Sequence, residues 1–495
     1  MRFDLRIPVY GNVILTLLIA TYLFFMPAGI LIHDLRDPGL STGETPRFTF
    51  RWHQSLSKRY EVWARERVAS GRATQLNTYN ISGTEWPMFS AAFYLWATET
   101  LEESWKADPS LAPEAPSQYA HGAIEATAAL VADPGNAAWV KNHWGPDYLH
   151  HEDLFYRMLL ISGLTSYQKL SGQKTYESLL RDQVESLAKE IDESPFGLLD
   201  DYPGECYPID ILPAIAAIRR ADAVLGTDHS AFAERALRAF ESSRLDPATG
   251  LPTYVADSMT GQGYGSARGI GSSFMLIWAP ELWPQTATEW YGRYDQYFWQ
   301  EGPMLAGFRE FPRAYPMPSF WLDVDAGPVI ADYGTAASAF GIGSARVNGH
   351  FEQAYPLSAE ALVASWPLPD DTLLAPRLLS NLSDAPYVGE TALLFSFTRK
   401  PLLKSPDSAD LRLPGVVYLA LGFYILCGLA LVWVAALRAW GWRNWDETFQ
   451  GPTWQPILWI TLVFTAIIAF IMSAGAVGAL SLLVALIMPF RANNF

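Results

Sequence analysis

The run Ile7-Pro8-Val9-Tyr10-Gly11-Asn12-Val13-Ile14-Leu15-Thr16-Leu17-Leu18-Ile19-Ala20-Thr21-Tyr22-Leu23-Phe24-Phe25-Met26-Pro27-Ala28-Gly29-Ile30-Leu31-Ile32 carries no charged side chain. Crossing about 30 Å of hydrocarbon takes roughly 20 helical residues, with no charge to desolvate and every backbone polar group bonded internally. Residues 7–32 are too long for a removable signal core, and no small-residue cleavage site follows them, so they read as a membrane anchor. Residues 413–437 form a second uncharged run and 456–490 a third. At about 1.5 Å per residue the third is longer than one crossing and is expected to fold back as a hairpin. Gly475-Ala476-Val477-Gly478 is the natural turn, because glycine tolerates the backbone angles a tight reversal needs.

Four spans would leave Arg2 and Arg6, Arg438 and Arg443, and Arg491 on one side of the membrane. Short cytoplasmic flanks carry the excess of Lys and Arg, so that side is expected to be cytoplasmic and residues 33–412 extracytoplasmic. Lys400, Lys404 and Arg412, just before the second span, work against this order. The expected setting is a bacterial inner membrane, with a multi-pass chain and a periplasmic domain.

Residues 33–412 have the composition of a folded domain. Half of the whole chain is hydrophobic and 14% aromatic, with no long low-complexity run. A net charge of −16 leaves no basic surface for nucleic acid and serves solubility. Of the two cysteines, Cys427 falls in the second span and Cys206 in the domain, so neither an intradomain disulfide nor a Cys-based zinc site is available.

Apolar-periodic segments recur along the domain at 86–105, 119–131, 152–171, 176–191, 211–225 and 229–241. They continue at 272–277, 286–299, 333–345 and 359–365, each bounded by Pro, Gly or Asp. Alternation typical of strands is scarce. An all-α fold is expected, with antiparallel helix pairs closed into an (α/α)6-type toroid, plus about four transmembrane helices. One short β excursion is expected after the turn Asp246-Pro247-Ala248-Thr249-Gly250-Leu251-Pro252, at Thr253-Tyr254-Val255. The glycine-rich residues 261–271, with Tyr264 and Arg268, lack the strand, lysine and spacing of a phosphate loop.

Chemistry concentrates in Asp200-Asp201-Tyr202-Pro203-Gly204-Glu205-Cys206-Tyr207-Pro208-Ile209-Asp210, between two helices. Two carboxylates in unlike environments can have their pKa values pushed apart, one remaining an acid while the other acts as a base. Asp201 and Asp210 are the candidates, although Asp210 also stands where a residue would cap the following helix. A second cluster, Trp321-Leu322-Asp323-Val324-Asp325-Ala326-Gly327-Pro328, puts Asp323 and Asp325 on one face if extended. Capping of the helix expected near Tyr333 is the competing role. Arg268, Arg309 or Arg313 would neutralise either cluster. His150-His151-Glu152-Asp153 has the wrong spacing for a helical metal site, and its acids suit a first helical turn, so no metal and no cofactor are expected.

Several of these stretches resemble the linalool dehydratase/isomerase family, helical toroids acting on monoterpene alcohols. The resemblance covers roughly 86–397 and none of the membrane runs. It rests on Ser90-Ala91-Ala92-Phe93-Tyr94, on Glu152-Asp153-Leu154-Phe155-Tyr156 followed by Tyr167-Gln168-Lys169-Leu170-Ser171-Gly172 and Tyr176-Glu177, and on Ser194-Pro195-Phe196-Gly197. Leu225-Gly226-Thr227-Asp228, Asp323-Val324-Asp325-Ala326-Gly327-Pro328 and Ala337-Ser338-Ala339-Phe340 continue it in the same order. The family's two catalytic cysteines fall on Asp201 and Asp210, its histidine on Leu159 and a site tyrosine on Phe89. Two aspartates would preserve a proton donor and acceptor while changing their poise. Loss of the histidine and tyrosine departs from the family pattern and points away from linalool itself.

The resemblance implies a membrane-anchored hydro-lyase or isomerase acting on a lipophilic, terpenoid-like alcohol. Asp201 and Asp210 would be catalytic, with Trp86, Phe89, Phe155, Tyr207, Tyr264, Arg268, Asp323 and Asp325 around the substrate. Two other readings stay open: a carbohydrate-active toroid using paired carboxylates, and a non-catalytic subunit of a membrane complex. The expected partners are the lipid bilayer and a lipophilic small molecule, with a membrane-protein complex or homo-oligomer also compatible.

Overall fold

The computed structural model describes residues 6–241, 245–313, 315, 320–404, 411–443, 454–471 and 475–487. Helix accounts for 68% and strand for 6%, which makes the chain all-α in class. It divides into two compact units, Met1–Ile32 with Tyr418–Phe495, and His33–Val417.

In the first unit, the expected anchor is helical from Arg6 through Asp34, with a π-helical turn at Thr21–Phe25. Two helices, Tyr10–Asp34 and Gly415–Trp440, are long and apolar enough to cross a membrane. The third apolar run forms two helices, Trp454–Ile471 and Gly475–Ile487, that pack on each other. Gly475 to Gly478 start the second of these helices and so do not form the turn. Residues 472–474, between the two helices, lie outside the described residues. Polar side chains tie this unit together. Trp459 Nε1 donates to Asn12 Oδ1 (2.6 Å), and Arg438 donates to the Leu486 carbonyl (2.9 Å), so Arg438 is engaged inside the unit. Arg2 and Arg491 lie outside the described residues.

The second unit is built from two kinds of helix. Trp86–Ala107, Leu154–Ser171, Ile211–Leu225 and Gly269–Leu282 are buried along nearly their whole length, as sequences apolar on every side must be. Trp86–Ala107 packs on Leu154–Ser171, which packs on Ile211–Leu225, which packs on Gly269–Leu282. Gly269–Leu282 packs on Thr335–Val347, this on Val388–Thr398, and Val388–Thr398 on Trp86–Ala107 again. Between them in sequence come Phe48–Ser70, His121–Ala132, Glu177–Glu193, Ser230–Glu241, Pro284–Phe298 and Phe351–Ser365. Each packs on one or more of the first six. These are one-sided: Glu177–Glu193 buries Leu180, Val184, Leu187 and Ile191 and turns its charges outward.

Most expected helices form within a few residues of their expected bounds. The exceptions are informative. The helix at 152 starts instead at Leu154, because Asp153 takes a left-handed backbone (φ 37°) at the N-cap. The helix expected from 333 starts at Thr335, since Tyr333–Gly334 pairs as a strand. Phe48–Ser70 and Val388–Thr398 had no counterpart in the sequence reading. At 269 a glycine is required, because a Cβ there would collide with the Arg309 carbonyl oxygen.

Strand pairing is antiparallel throughout and more frequent than expected. Val255–Ala256 pairs with Gly263–Tyr264 after the Asp246 turn, and Trp299–Glu301 pairs with Ala306–Phe308. The third sheet joins Phe320–Asp323, Gly327–Ile330 and Tyr333–Gly334. Asp323 and Asp325 therefore do not share one extended face: Asp323 ends a strand and Asp325 sits in the turn. Asp323 Oδ1 accepts the Asp325 (2.7 Å) and Ala326 (3.2 Å) N–H groups, so it braces its own turn and caps no helix.

Candidate active site

The N-terminal ends of the six buried helices supply the wall of one cavity of about 740 Å³. Trp86, Phe89 and Phe93 come from the first helix, Phe155 from the second, and Asp210 from the residue before the third. Ile270, Gly271 and Phe274, then Ala336 and Phe340, then Val388, Gly389 and Ala392 complete the circuit. Phe89 stacks on Phe155 at 5.6 Å, and Phe93 packs against Phe340 at 5.4 Å. The same wall includes Glu85, Glu205, Asp210 and Asp325, with Tyr79, Tyr202, Tyr207, Tyr254 and His143. The partial positive charge at helix N-termini favours ionised carboxylates there.

The 200–210 loop is folded by its own acids, and its two candidate aspartates have different jobs. Asp201 is fully buried and does not reach the wall: its oxygens accept the N–H groups of Phe155 (2.9 Å) and Tyr207 (3.0 Å). It thus caps the Leu154–Ser171 helix from a distant segment. Asp210, at the N-cap of Ile211–Leu225, makes no side-chain capping bond, and its carboxyl lines the cavity. The role weighed for Asp210 belongs to Asp201. Burial, then the charge of Asp325, pushes Asp210 up to about 7. Burial, then Asp210, raises Asp201 well above the usual carboxylate range.

Two further carboxylic residues of the wall, Glu85 and Asp325, have shifted pKa values. Glu85 precedes the Trp86–Ala107 helix without capping it, and burial lifts it to about 7 against a hydrogen bond from Tyr202. Asp325 accepts a hydrogen bond from the Tyr254 hydroxyl at 3.0 Å. Burial raises Asp325 too, but the Tyr254 bond and the Arg268 charge oppose that rise. The Asp323 charge adds to the rise, so Asp325 too sits above the usual carboxylate range.

Arg268 and Asp323 stand behind the wall. The Arg268 guanidinium pairs with Glu310 (2.7 Å) and Asp323 (3.3 Å) and lies over the rings of Tyr254 (4.5 Å) and Trp321 (5.2 Å). Arg309 pairs with Asp332, and Arg313 donates to the Trp299 carbonyl, so neither neutralises the clusters as expected. Tyr264 is half exposed on its strand and absent from the cavity wall, and Leu159 is packed in the core. His150 bonds Asp147 and Asp182 at the surface. Both carboxyl oxygens of Asp153 are buried without a hydrogen-bond partner among the described residues. Among those residues no group of three or more His, Cys, Asp or Glu is placed to share a metal ion.

Glu85 and His143 are among the wall residues that the sequence does not single out as site candidates. For Glu85 the signal was present, an acid directly ahead of the aromatic helix start Trp86-Pro87. His143 lies in a short helix and meets the cavity through Tyr202, ring centroids 5.4 Å apart, which no local pattern announces. No protein-family model matches the chain, and no curated protein matches it significantly.

Proposed function

We propose that this chain is a membrane-anchored hydro-lyase or isomerase of linalool dehydratase/isomerase type, eliminating water from a lipophilic, terpenoid-like alcohol. The observation that carries the reading is Asp210, an uncapped carboxyl pushed up to about 7 inside an aromatic cavity. Such a group is half protonated near neutrality and matched to proton transfer. The alternation of six buried and six one-sided helices supports an (α/α)6 toroid with its active site at the buried helices' N-terminal ends. The apolar runs and arginine flanks support four spans and an extracytoplasmic domain.

The site suggests a division of labour. Protonated Asp210 gives its proton to the substrate hydroxyl, the C–O bond breaks and water leaves. Asp325, in its ionised form and hydrogen-bonded by Tyr254, takes a proton from the neighbouring C–H as the C=C bond forms. Return of that proton from Asp325 to Asp210, through the released water, resets the pair. The faces of Phe89, Phe155 and Trp86 would shield the allylic cation between these steps. Asp201 positions the loop by accepting the Phe155 and Tyr207 N–H groups. The rings of Phe89, Phe93, Phe155, Phe274 and Phe340 on the wall suit an apolar substrate body, which favours the alcohol lyase over the glycosidase reading.

The test is incubation of the purified full chain with a panel of tertiary allylic terpenoid alcohols, products being followed by mass spectrometry. Dehydrated or rearranged product that disappears in Asp210→Asn is the expected result. Absence of product across the panel, or unchanged turnover in Asp210→Asn, would overturn the reading.

A further inference from the structure

Most soluble domains keep large aliphatic side chains off their outer sheet faces, and a contiguous exposed patch marks an interaction surface. The hairpin Phe320–Asp323/Gly327–Ile330 breaks that pattern. Antiparallel register pairs Phe320 with Ile330 and Leu322 with Pro328, so these four share one face. Phe320 is 62% exposed, Leu322 65% and Ile330 54%, while Val329 on the opposite face is buried. The same hairpin turns at Val324, Asp325 and Gly327, which line the cavity. An outward apolar face and a piece of the cavity wall are thus two sides of one small element.

A second segment repeats the arrangement. The helix Leu374–Ser380 is tied to the wall by the Gly389 N–H, which donates to Ser380 Oγ (3.1 Å), and Gly389 lines the cavity. Its outward side and the turn after it expose Leu379 (70%) and Leu382 (86%). What adjoins the hairpin is decided by hydrogen bonds. The Tyr333 hydroxyl donates to the Leu305 carbonyl (3.2 Å), which joins the sheet to the 302–305 turn. That turn in turn accepts the Gly415 N–H at Pro303 (3.0 Å) and the Val416 N–H at Met304 (2.9 Å). Gly415 is the first residue of a helix long and apolar enough to cross a membrane. The sheet that carries the exposed apolar hairpin is therefore tied, through one turn, to the start of that helix.

We infer that the apolar outer face of the 320–330 hairpin, and with it the exposed side of the 374–382 segment, docks into the acyl region of the bilayer, so that the cavity takes its substrate from the lipid phase. Shallow apolar insertions of this kind sit about 5–10 Å into the headgroup and acyl boundary. The inference rests on the proposed membrane anchoring and deepens it, naming lipid-dissolved substrate as the class served.

The test uses the full chain in vesicles of phosphatidylcholine and phosphatidylglycerol, with a fluorescent thiol probe and lipids carrying a nitroxide on the acyl chain. Leu322→Cys and Leu382→Cys are labelled in a Cys427→Ser background, Cys206 being buried. Glu234→Cys, on the remote Ser230–Glu241 helix, is the aqueous control, and the native Cys427 in the Gly415–Arg443 helix is the membrane control. Expected is loss of fluorescence to nitroxide lipid at 322, 382 and 427 and retention at 234, with aqueous iodide giving the reverse. If 427 is quenched by lipid while 322 and 382 respond only to iodide, the docking proposal fails and the anchor stands. If 427 also fails to respond to lipid, the anchoring reading falls with it. Shielding of 322 and 382 from both quenchers would assign the surface to a protein partner or second copy and overturn the proposal.

Discussion

Asp201 and Asp210, nine positions apart in one loop, separate into a structural and a chemical carboxyl, and their amide variants should separate too. A carboxyl raised in the folded state keeps its proton over a pH range in which the unfolded chain has lost it. Its stabilising contribution is whole below the ordinary value of 3.8 and is lost as pH climbs through about 7. Asp210→Asn removes that loss, so the variant should melt above wild type at pH 8, with the difference shrinking toward pH 4. Its turnover should fall by about 10²-fold or more, the usual worth of a positioned acid. For Asp201→Asn the opposite is expected in the melt. Asparagine has one acceptor oxygen where Phe155 and Tyr207 present two N–H groups, and an unsatisfied buried donor costs roughly 1–3 kcal/mol. Thermal melts of the two variants across pH 4 to 8 check both outcomes. The sequence could name both acids but not tell them apart, because which one meets Phe155 depends on a helix some fifty residues earlier in the chain.

At the scale of elements, the 320–330 hairpin depends on one buried cation. Arg268 holds it through Asp323 and pairs with Glu310, which is fully buried and also accepts the Ile270 N–H (3.1 Å) at the next helix start. Arg268→Ala would strand the Glu310 charge, and breaking a buried pair in this way typically costs about 3–5 kcal/mol. Arg268→Lys keeps the charge but not the two-directional fork or the stack on Tyr254 and Trp321, so an intermediate loss is expected in chemical denaturation. The helices were legible because a 3.6-residue apolar period repeats over three or more turns. Phe48–Ser70 escaped because its buried stripe, Phe48, Trp52, Leu56, Tyr60 and Ala64, recurs only every fourth residue among many charges. The hairpin escaped because its strands are four residues long and apolar on the outward face, the reverse of the usual alternation.

For the whole molecule, topology is the first thing to measure. If 33–412 is extracytoplasmic, protease added to intact spheroplasts should cut the domain and spare the segment that follows Arg443, while cleavage of that segment with domain protection would reverse the orientation. The engagement of Arg438 with Thr16 and Leu486 removes it from the free flank charges, so the orientation leans on fewer arginines than the sequence offered. Length and the absence of charge were enough to mark the apolar runs, since spanning hydrocarbon is a constraint on single segments. Periodicity likewise marked the all-α class, since one helix buries one stripe of its own sequence. By contrast, the cavity belongs to no segment. It exists because six helix N-termini, spread from residue 86 to 388, meet at one place, bringing Glu85 and Asp210 each within reach of the Asp325 charge and out of water. Burial and mutual repulsion set which acid keeps its proton, and both are properties of the assembled fold that no local pattern contains.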